Sequence, residues 1–167
     1  MTSTQILTVE DDAAIRRGIV DALRYAGYVP LEAASGDLGR KMALERDYDL
    51  LLLDLIMPGT SGLEILRAVR AVRPTQPVII LTAVTDHKIR CEALKHGATD
   101  FLNKPVDPAE LAPRVVNVLK VKAYQDQLLR YNQNLESAVR ERTRQLEQAY
   151  REIGLVLARA AEYSDND

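Results

Sequence analysis

The sequence predicts an α/β fold built on a doubly wound, five-stranded parallel sheet. Three observations carry that expectation. Short apolar runs alternate with helix-period stretches five times within about 120 residues. Two of the runs, Leu50–Leu53 and Pro77–Leu81, are apolar throughout, as suits strands buried on both faces of a parallel sheet. Several runs also end in residues that can do chemistry, at the edge where open α/β sheets hold their ligands.

Taken in order, Gln5–Val9 is the first strand and is followed by the acidic triplet Glu10-Asp11-Asp12. Ile15, Ile19, Val20 and Leu23 then recur at helical spacing, and Gly27 ends that helix. Tyr28–Ala33 reads as a second strand. Ser35-Gly36-Asp37 opens a second helix with Leu38, Met42 and Leu44 as its expected buried positions. Leu50–Leu53 is the third strand, ending at Asp54; Met57, Pro58 and two glycines then force a turn. Leu63–Val72 is the third helix, closed by Pro74. Pro77–Leu81 is the fourth strand, ending at Thr82. A fourth helix runs through Lys88–Lys95 and stops at Gly97. Thr99–Leu102 is a weaker fifth strand, followed by Asn103-Lys104-Pro105. Asp107 as N-cap with Pro108 in the first turn starts the last helix. Right-handed crossovers leave few topologies for such a chain.

From about Ala112 the helical signal does not stop. Val121, Tyr124, Leu128, Tyr131 and Leu135 alternate spacings of three and four. Val139, Arg142, Leu146, Ala149, Ile153, Val156 and Ala160 continue the stripe after a stutter at Tyr131–Leu135–Val139. A helix of about 45 residues cannot bury this stripe on a small sheet domain, so a dimeric coiled coil is expected. The competing reading is a solvated helix packed back on its own domain. The seam contains tyrosines, alanines and Arg142, which predicts modest dimer stability. The organisation expected is a domain over residues 1–120, a helical linker over 121–163, and the start of an output domain at 164–167.

The bulk numbers narrow the function. Net charge is −2, and the stretch from Val121 carries seven basic and eight acidic side chains, so no nucleic-acid footprint is expected. No apolar stretch approaches a membrane span, and the first residues resemble no secretory signal, so a cytoplasmic protein is expected. The single Cys91 excludes an internal disulfide and reads as a packed helix residue. His87 and His96 read as surface-helix residues, and no Cys/His metal cluster exists.

Glu10, Asp11, Asp54, Thr82 and Lys104 follow four different apolar runs. In a parallel sheet those strand ends share one edge, so the side chains converge. Carboxylates so gathered raise one another's pKa unless a cation intervenes, and Mg²⁺ is the hard ion that goes with phosphate chemistry. Acid, metal, lysine and hydroxyl suit a transferring phosphoryl group. One carboxylate would be the nucleophile, giving an aspartyl phosphate, and Asp54 on the central strand is the best candidate.

The Glu-Asp-Asp triplet after the first strand, Asp54-Leu55-Ile56-Met57-Pro58-Gly59-Thr60-Ser61-Gly62, Thr82-Ala83 and Lys104-Pro105 resemble the receiver domain of two-component response regulators. So does Gly97–Pro105, GATDFLNKP. The resemblance covers residues 4 to about 120. It implies a flavodoxin-like sheet of strand order 2-1-3-4-5 and phosphotransfer from a sensor histidine kinase to Asp54. It also implies that Asp11, Asp54 and the backbone carbonyl of Ile56 would ligate Mg²⁺, with Glu10 acting through water. Lys104 would bridge to a phosphoryl oxygen, and Thr82 would move toward it. Phe101 would be the coupled aromatic switch, by packing alone, since it lacks a tyrosine hydroxyl. Ile56 and Val84 would flank the hydrolytic water and, being apolar, would leave the phosphoryl group slow to hydrolyse.

Asn134–Glu152 resembles the signalling coiled-coil linkers of response regulators. Leu157–Asp167 resembles the opening of HD-GYP domains, which hydrolyse cyclic di-GMP at a metal centre; no His-Asp motif follows in this chain. The expectation is a receiver and linker, not itself an enzyme, serving a cyclic di-GMP phosphodiesterase. The alternatives are a standalone phosphorelay adaptor or a regulator with another output domain.

Overall fold

The computed structural model describes residues 3–83 and 87–164. Five strands, β1 (Gln5–Val9), β2 (Val29–Ala33), β3 (Leu50–Asp54), β4 (Val78–Thr82) and β5 (Asp100–Asn103), form one sheet. Its order is β2-β1-β3-β4-β5 and every pair is parallel, the flavodoxin-like order expected. Five helices complete the chain: α1 (Ala13–Tyr25), α2 (Gly36–Glu45), α3 (Gly62–Val72), α4 (His87–Lys95) and α5 (Pro108–Ser164). By internal contacts the chain divides into two units, Met1–Lys122 and Ala123–Asp167.

β3 and β4 are buried at all five positions each, because helices cover both faces of the sheet. Alternate residues still part company. Leu7, Val9, Leu51, Leu53, Val78 and Ile80 face the core made with α2, α3 and Ala93 of α4. Ile6, Leu50, Leu52, Ile79 and Leu81 face the core made with α1 and with Leu111, Val115 and Val118 of α5. Each fully buried leucine or isoleucine is worth about 2 kcal/mol of transfer free energy, so the sheet's middle strands dominate the stability.

Two packing expectations are corrected. In α2 the buried residues are Gly36, Gly39 and Ala43, whereas Leu38 is exposed and Met42 and Leu44 are half-buried. The helix lies too close to the sheet for large side chains: a Cβ on Gly39 would overlap Val9, and one on Gly36 would overlap the Thr60 carbonyl. In α4 Cys91 is exposed and Ala93 takes the buried position.

α3 begins with a capping box: Ser61 accepts from the Glu64 N–H, and Glu64 accepts from the Ser61 N–H. At the opposite edge of the sheet, buried Tyr48 donates its hydroxyl to the Ala43 carbonyl at 2.9 Å, under the Arg73 guanidinium. Burial, the largest influence, raises the Tyr48 hydroxyl above its ordinary value, against the pull of Arg73 and Arg70. A raised folded-state value means that this group's contribution is complete below pH 10 and is lost as pH rises through the folded value. Tyr48→Phe is therefore expected to cost about 1 kcal/mol at neutral pH. It should also flatten the alkaline fall in stability, read from denaturant midpoints across pH.

Beyond Lys122 the helix carries an unpaired apolar stripe. Tyr124, Leu128, Leu135, Val139 and Ile153 are between 46% and 65% exposed.

Candidate functional site

The strand register brings the acids together. Val9 of β1 lies beside Leu53 of β3, so Glu10 and Asp54, each one residue further on, emerge side by side at the carboxyl edge. Both are fully buried, at 0% and 2% exposure, while Asp11 is exposed. Two buried carboxylates at such a place repel each other and lose hydration.

Lys104 answers that repulsion. Its Nζ lies 2.7 Å from Glu10 Oε2 and 2.7 Å from Asp54 Oδ2. The lysine is aimed by β5: its N–H donates to the Thr82 carbonyl at 2.9 Å, one rung past the strand, and the following Lys104–Pro105 bond is cis. Burial holds the Glu10 carboxyl above the usual range; the Lys104 hydrogen bond opposes this, and the Asp54 charge adds to it. For Lys104 burial works to lower the value, but hydrogen bonds to Asp54 and Glu10 outweigh it and hold the ammonium above its ordinary range.

Local turns fix each carboxylate's other oxygen. Asp54 Oδ1 accepts from the Ile56 N–H, and Glu10 Oε1 accepts from the Asp12 N–H, both at 3.1 Å. The third acid, Asp12, is committed elsewhere. It caps α1, accepting from the N–H groups of Ala14 and Ile15. Arg16 donates to the carbonyl oxygens of Glu10 at 2.8 Å and Asp11 at 3.3 Å, pinning the acidic turn. Sequence reasoning placed Asp12 in the acidic triplet without its capping role, and missed Arg16 altogether. An Asp just before a helical period is a legible N-cap, but nothing in the sequence marks Arg16.

Glu10, Asp11 and Asp54 each place a carboxylate oxygen within 4.8 Å of the others. The donor set is all oxygen, which fits a hard divalent cation better than a soft one. Three carboxylates face one ammonium, so a cation beside Lys104 would meet more negative than positive charge.

The other expected residues lie as follows. Thr82 is buried at the end of β4 and donates its hydroxyl to the adjacent Ala83 carbonyl at 3.1 Å. Ile56 is 62% exposed, directly beside the Asp54 carboxylate it caps. Phe101, half-buried in β5, packs against the α2–α3 core, and the Arg90 guanidinium lies 4.9 Å from its ring centroid. This cation–π contact was not anticipated. Val84 lies outside the described residues.

Chemically, the edge holds two carboxylates in contact with one ammonium, with a further oxygen donor for a cation. Such a site suits nucleophilic attack by Asp54 on an electrophile whose oxygens carry negative charge.

Comparison with known proteins agrees with this fold. The family model described as "Response regulator receiver domain" matches residues 6–116. The transcriptional regulatory protein ResD of Bacillus subtilis is 41% identical over 117 residues, covering 70% of this chain and 48% of ResD. The phosphate regulon transcriptional regulatory protein PhoB of Pseudomonas aeruginosa is 39% identical over 122 residues, covering 72% of this chain and 53% of PhoB. The chain thus spans about half the length of these curated relatives. Among solved structures, a CheY-like response regulator receiver domain protein from Methanospirillum hungatei superposes with a TM-score of 0.71 at 27% identity, covering 74% of this chain and 99% of that one.

Proposed function

The chain belongs to the response regulator receiver family, and on that premise we propose that Asp54 accepts a phosphoryl group from a sensor histidine kinase. An Asp54 carboxylate oxygen attacks phosphorus, the P–N bond to the kinase histidine breaks, and its electron pair leaves with the imidazole. The observation that carries this reading is Lys104 Nζ at 2.7 Å from both Glu10 and Asp54. It places a positive charge against the buried nucleophile and offers it to the incoming oxygens. Glu10, Asp11, Asp54 and the Ile56 carbonyl are the groups proposed to hold Mg²⁺, which when bound would neutralise phosphoryl charge. Thr82 is proposed to turn its hydroxyl from Ala83 toward the phosphoryl oxygens, with Phe101 following by packing.

Acetyl phosphate and Mg²⁺ test the reading without a kinase. One phosphoryl group per chain is expected by intact mass, none in Asp54→Ala, and none with excess chelator. Label that persists in Asp54→Ala overturns it. Loss of that label should be slow, because the exposed side chain beside the acid, Ile56, cannot orient water. Ile56→Asn is expected to speed the loss about tenfold, below the reach of a dedicated general base. A time course of intact mass after donor removal checks it.

The exposed stripe beyond Lys122 supports a parallel homodimer formed through α5, as the sequence spacing suggests. Sedimentation equilibrium should return twice the chain mass, and Leu128→Asp with Leu135→Asp should return the monomer. Signal would pass as a change of helix pairing, with the stutter at Tyr131–Leu135–Val139 as its soft point. Inter-helix crosslinks along residues 121–156 that do not change with beryllofluoride would count against this.

For the output, the likeness of Leu157–Asp167 to an HD-GYP opening supports a cyclic di-GMP phosphodiesterase; Asp165–Asp167 lie outside the described residues. The names of ResD and PhoB favour a second reading, a transcriptional output, in which nucleic acid is bound by another part of the protein. Cyclic di-GMP hydrolysis and promoter binding, assayed on the longest gene product that contains this chain, separate the two. Among the described residues no helix is long and apolar enough to cross a membrane, and a cytoplasmic location is proposed with the kinase reading.

A further inference from the structure

The turn after Asp54 is held at its tip by a helix that contributes nothing to the site itself. The segment Leu55–Ser61 leaves the sheet at Asp54 and returns to begin α3. Its foot is tight: the Gly62 N–H donates to the Leu55 carbonyl at 3.1 Å, and a Cβ on Gly62 would come within 2.6 Å of Leu55 Cα. Its tip rests on the N-terminus of α2. The Thr60 hydroxyl donates to Asp37 Oδ1. Gly59, at φ +79°, lies over the same carboxylate, where a Cβ would sit 3.4 Å from Asp37 Oδ2. Gly36 has no room for a Cβ because the Thr60 carbonyl lies against it.

α2 is in turn seated on the sheet next to the acids. Gly39 lies against Val9, the residue before Glu10. A continuous chain of contacts therefore runs from the Glu10 end of β1, through α2, to the tip of the turn that follows Asp54. The sheet register already fixes Glu10 beside Asp54. It does not fix Ile56, which lies beyond the last β3 residue and whose backbone depends on the turn.

We infer that Asp37 and Thr60 are positioning residues: their hydrogen bond sets the turn so that the Ile56 backbone and the Asp54 carboxylate face Asp11 together. The inference rests on the reading of Asp54, Asp11 and the Ile56 carbonyl as cation donors. Thr60 is half-buried and Asp37 exposed, so the bond is not needed to fill a core. Supports of this kind act by orienting ligands, and their loss typically weakens metal binding about tenfold or more.

Mg²⁺ titration by calorimetry, on the whole chain and without any phosphodonor, is the test. Thr60→Val and Asp37→Ala are each expected to weaken Mg²⁺ binding about tenfold. Thr60→Ser, which keeps the hydroxyl, should restore it. The double variant Asp37→Ala/Thr60→Val should be no worse than either single change, because one shared bond is lost. Labelling by acetyl phosphate should be slow in Thr60→Val at low Mg²⁺ and recover at saturating Mg²⁺, which a damaged fold would not do. Parental affinity in both single variants, additive losses in the double variant, or a chain that binds no Mg²⁺ overturns the inference. If Thr60→Val does not fold, Asp37→Ala alone decides, since its carboxylate is exposed. Failure of acetyl phosphate to label the parent at Asp54, with Mg²⁺ affinities as expected, would fault the phosphoacceptor reading and leave this one standing.

Discussion

Lys104→Ala is expected to lower stability by about 2 kcal/mol at neutral pH. Removing one partner from a buried ionic set costs about 3–5 kcal/mol, because the charges left behind have neither water nor a counter-ion. Lys104 is 20% exposed, so part of that penalty is met by water and the lower figure applies. The pH dependence carries the sign. Burial already holds Glu10 above the usual carboxyl range, and Lys104 is what pulls it back. Without the lysine Glu10 rises further, so the deficit is complete where Glu10 is ionised and shrinks as falling pH protonates it. Mg²⁺ should restore more stability to this variant than to the parent, since it supplies positive charge to the same oxygens. Urea midpoints at neutral and mildly acid pH, with and without Mg²⁺, make the comparison. A variant as stable as its parent in metal-free neutral solution would contradict the pairing of Lys104 with Glu10 and Asp54.

Gly62→Ala is expected to cost about 3 kcal/mol and to impair phosphorylation at Asp54 together with stability. The added Cβ would overlap the Asp54 carbonyl and approach Leu55 Cα to 2.6 Å. Both are backbone atoms, at the end of β3 and the start of the turn that follows it, and cannot swing aside as a side chain could. Relief requires the start of α3 to move off β3, breaking the bond from the Gly62 N–H to the Leu55 carbonyl. Gly18→Ala is the control. Gly18 is an exposed residue within α1 with nothing within 4 Å of its would-be Cβ, and alanine there should stabilise by about 1 kcal/mol. Thermal unfolding of the two variants should therefore move in opposite directions. A neutral Gly62→Ala would mean that the turn is looser than its contacts indicate.

These contrasts mark how far the sequence could be read. Strands such as β3 were legible because a run apolar at every position, Leu50–Leu53, has few places to be other than a parallel sheet's middle. The strand ends followed, and with them Glu10, Asp54 and Lys104 on one edge. What could not be read was how closely helices approach. In α2 the periodic apolar residue Leu38 points outward while Gly36, Gly39 and Ala43 face inward, because a close-packed helix selects for small residues that carry no hydrophobic signal. In α4 Cys91 is exposed and the buried position falls to Ala93, which carries little hydrophobic signal of its own. Long-range polar contacts were equally silent. Thr60 on Asp37, Arg16 on the Glu10 carbonyl and Arg90 over Phe101 each join segments that local pattern treats separately. By contrast the Ser61–Glu64 capping box stands plainly in the sequence, since both partners lie within one helical turn.

The central claim is that Asp54 is the nucleophile and that Glu10, its equally buried neighbour on the same lysine, is not. The two differ in place: Asp54 ends the central strand beside the exposed Ile56, whereas Glu10 follows β1 and its other oxygen is held by the Asp12 N–H at the start of α1. Borohydride reduction of the acetyl phosphate-treated chain, followed by peptide sequencing, separates them, because an acyl phosphate is reduced to an alcohol where it stands. Homoserine at position 54 and unmodified Glu10 are the expected result. Reduction product at Glu10 or Asp11, or label that survives borohydride with Asp54 intact, would contradict it.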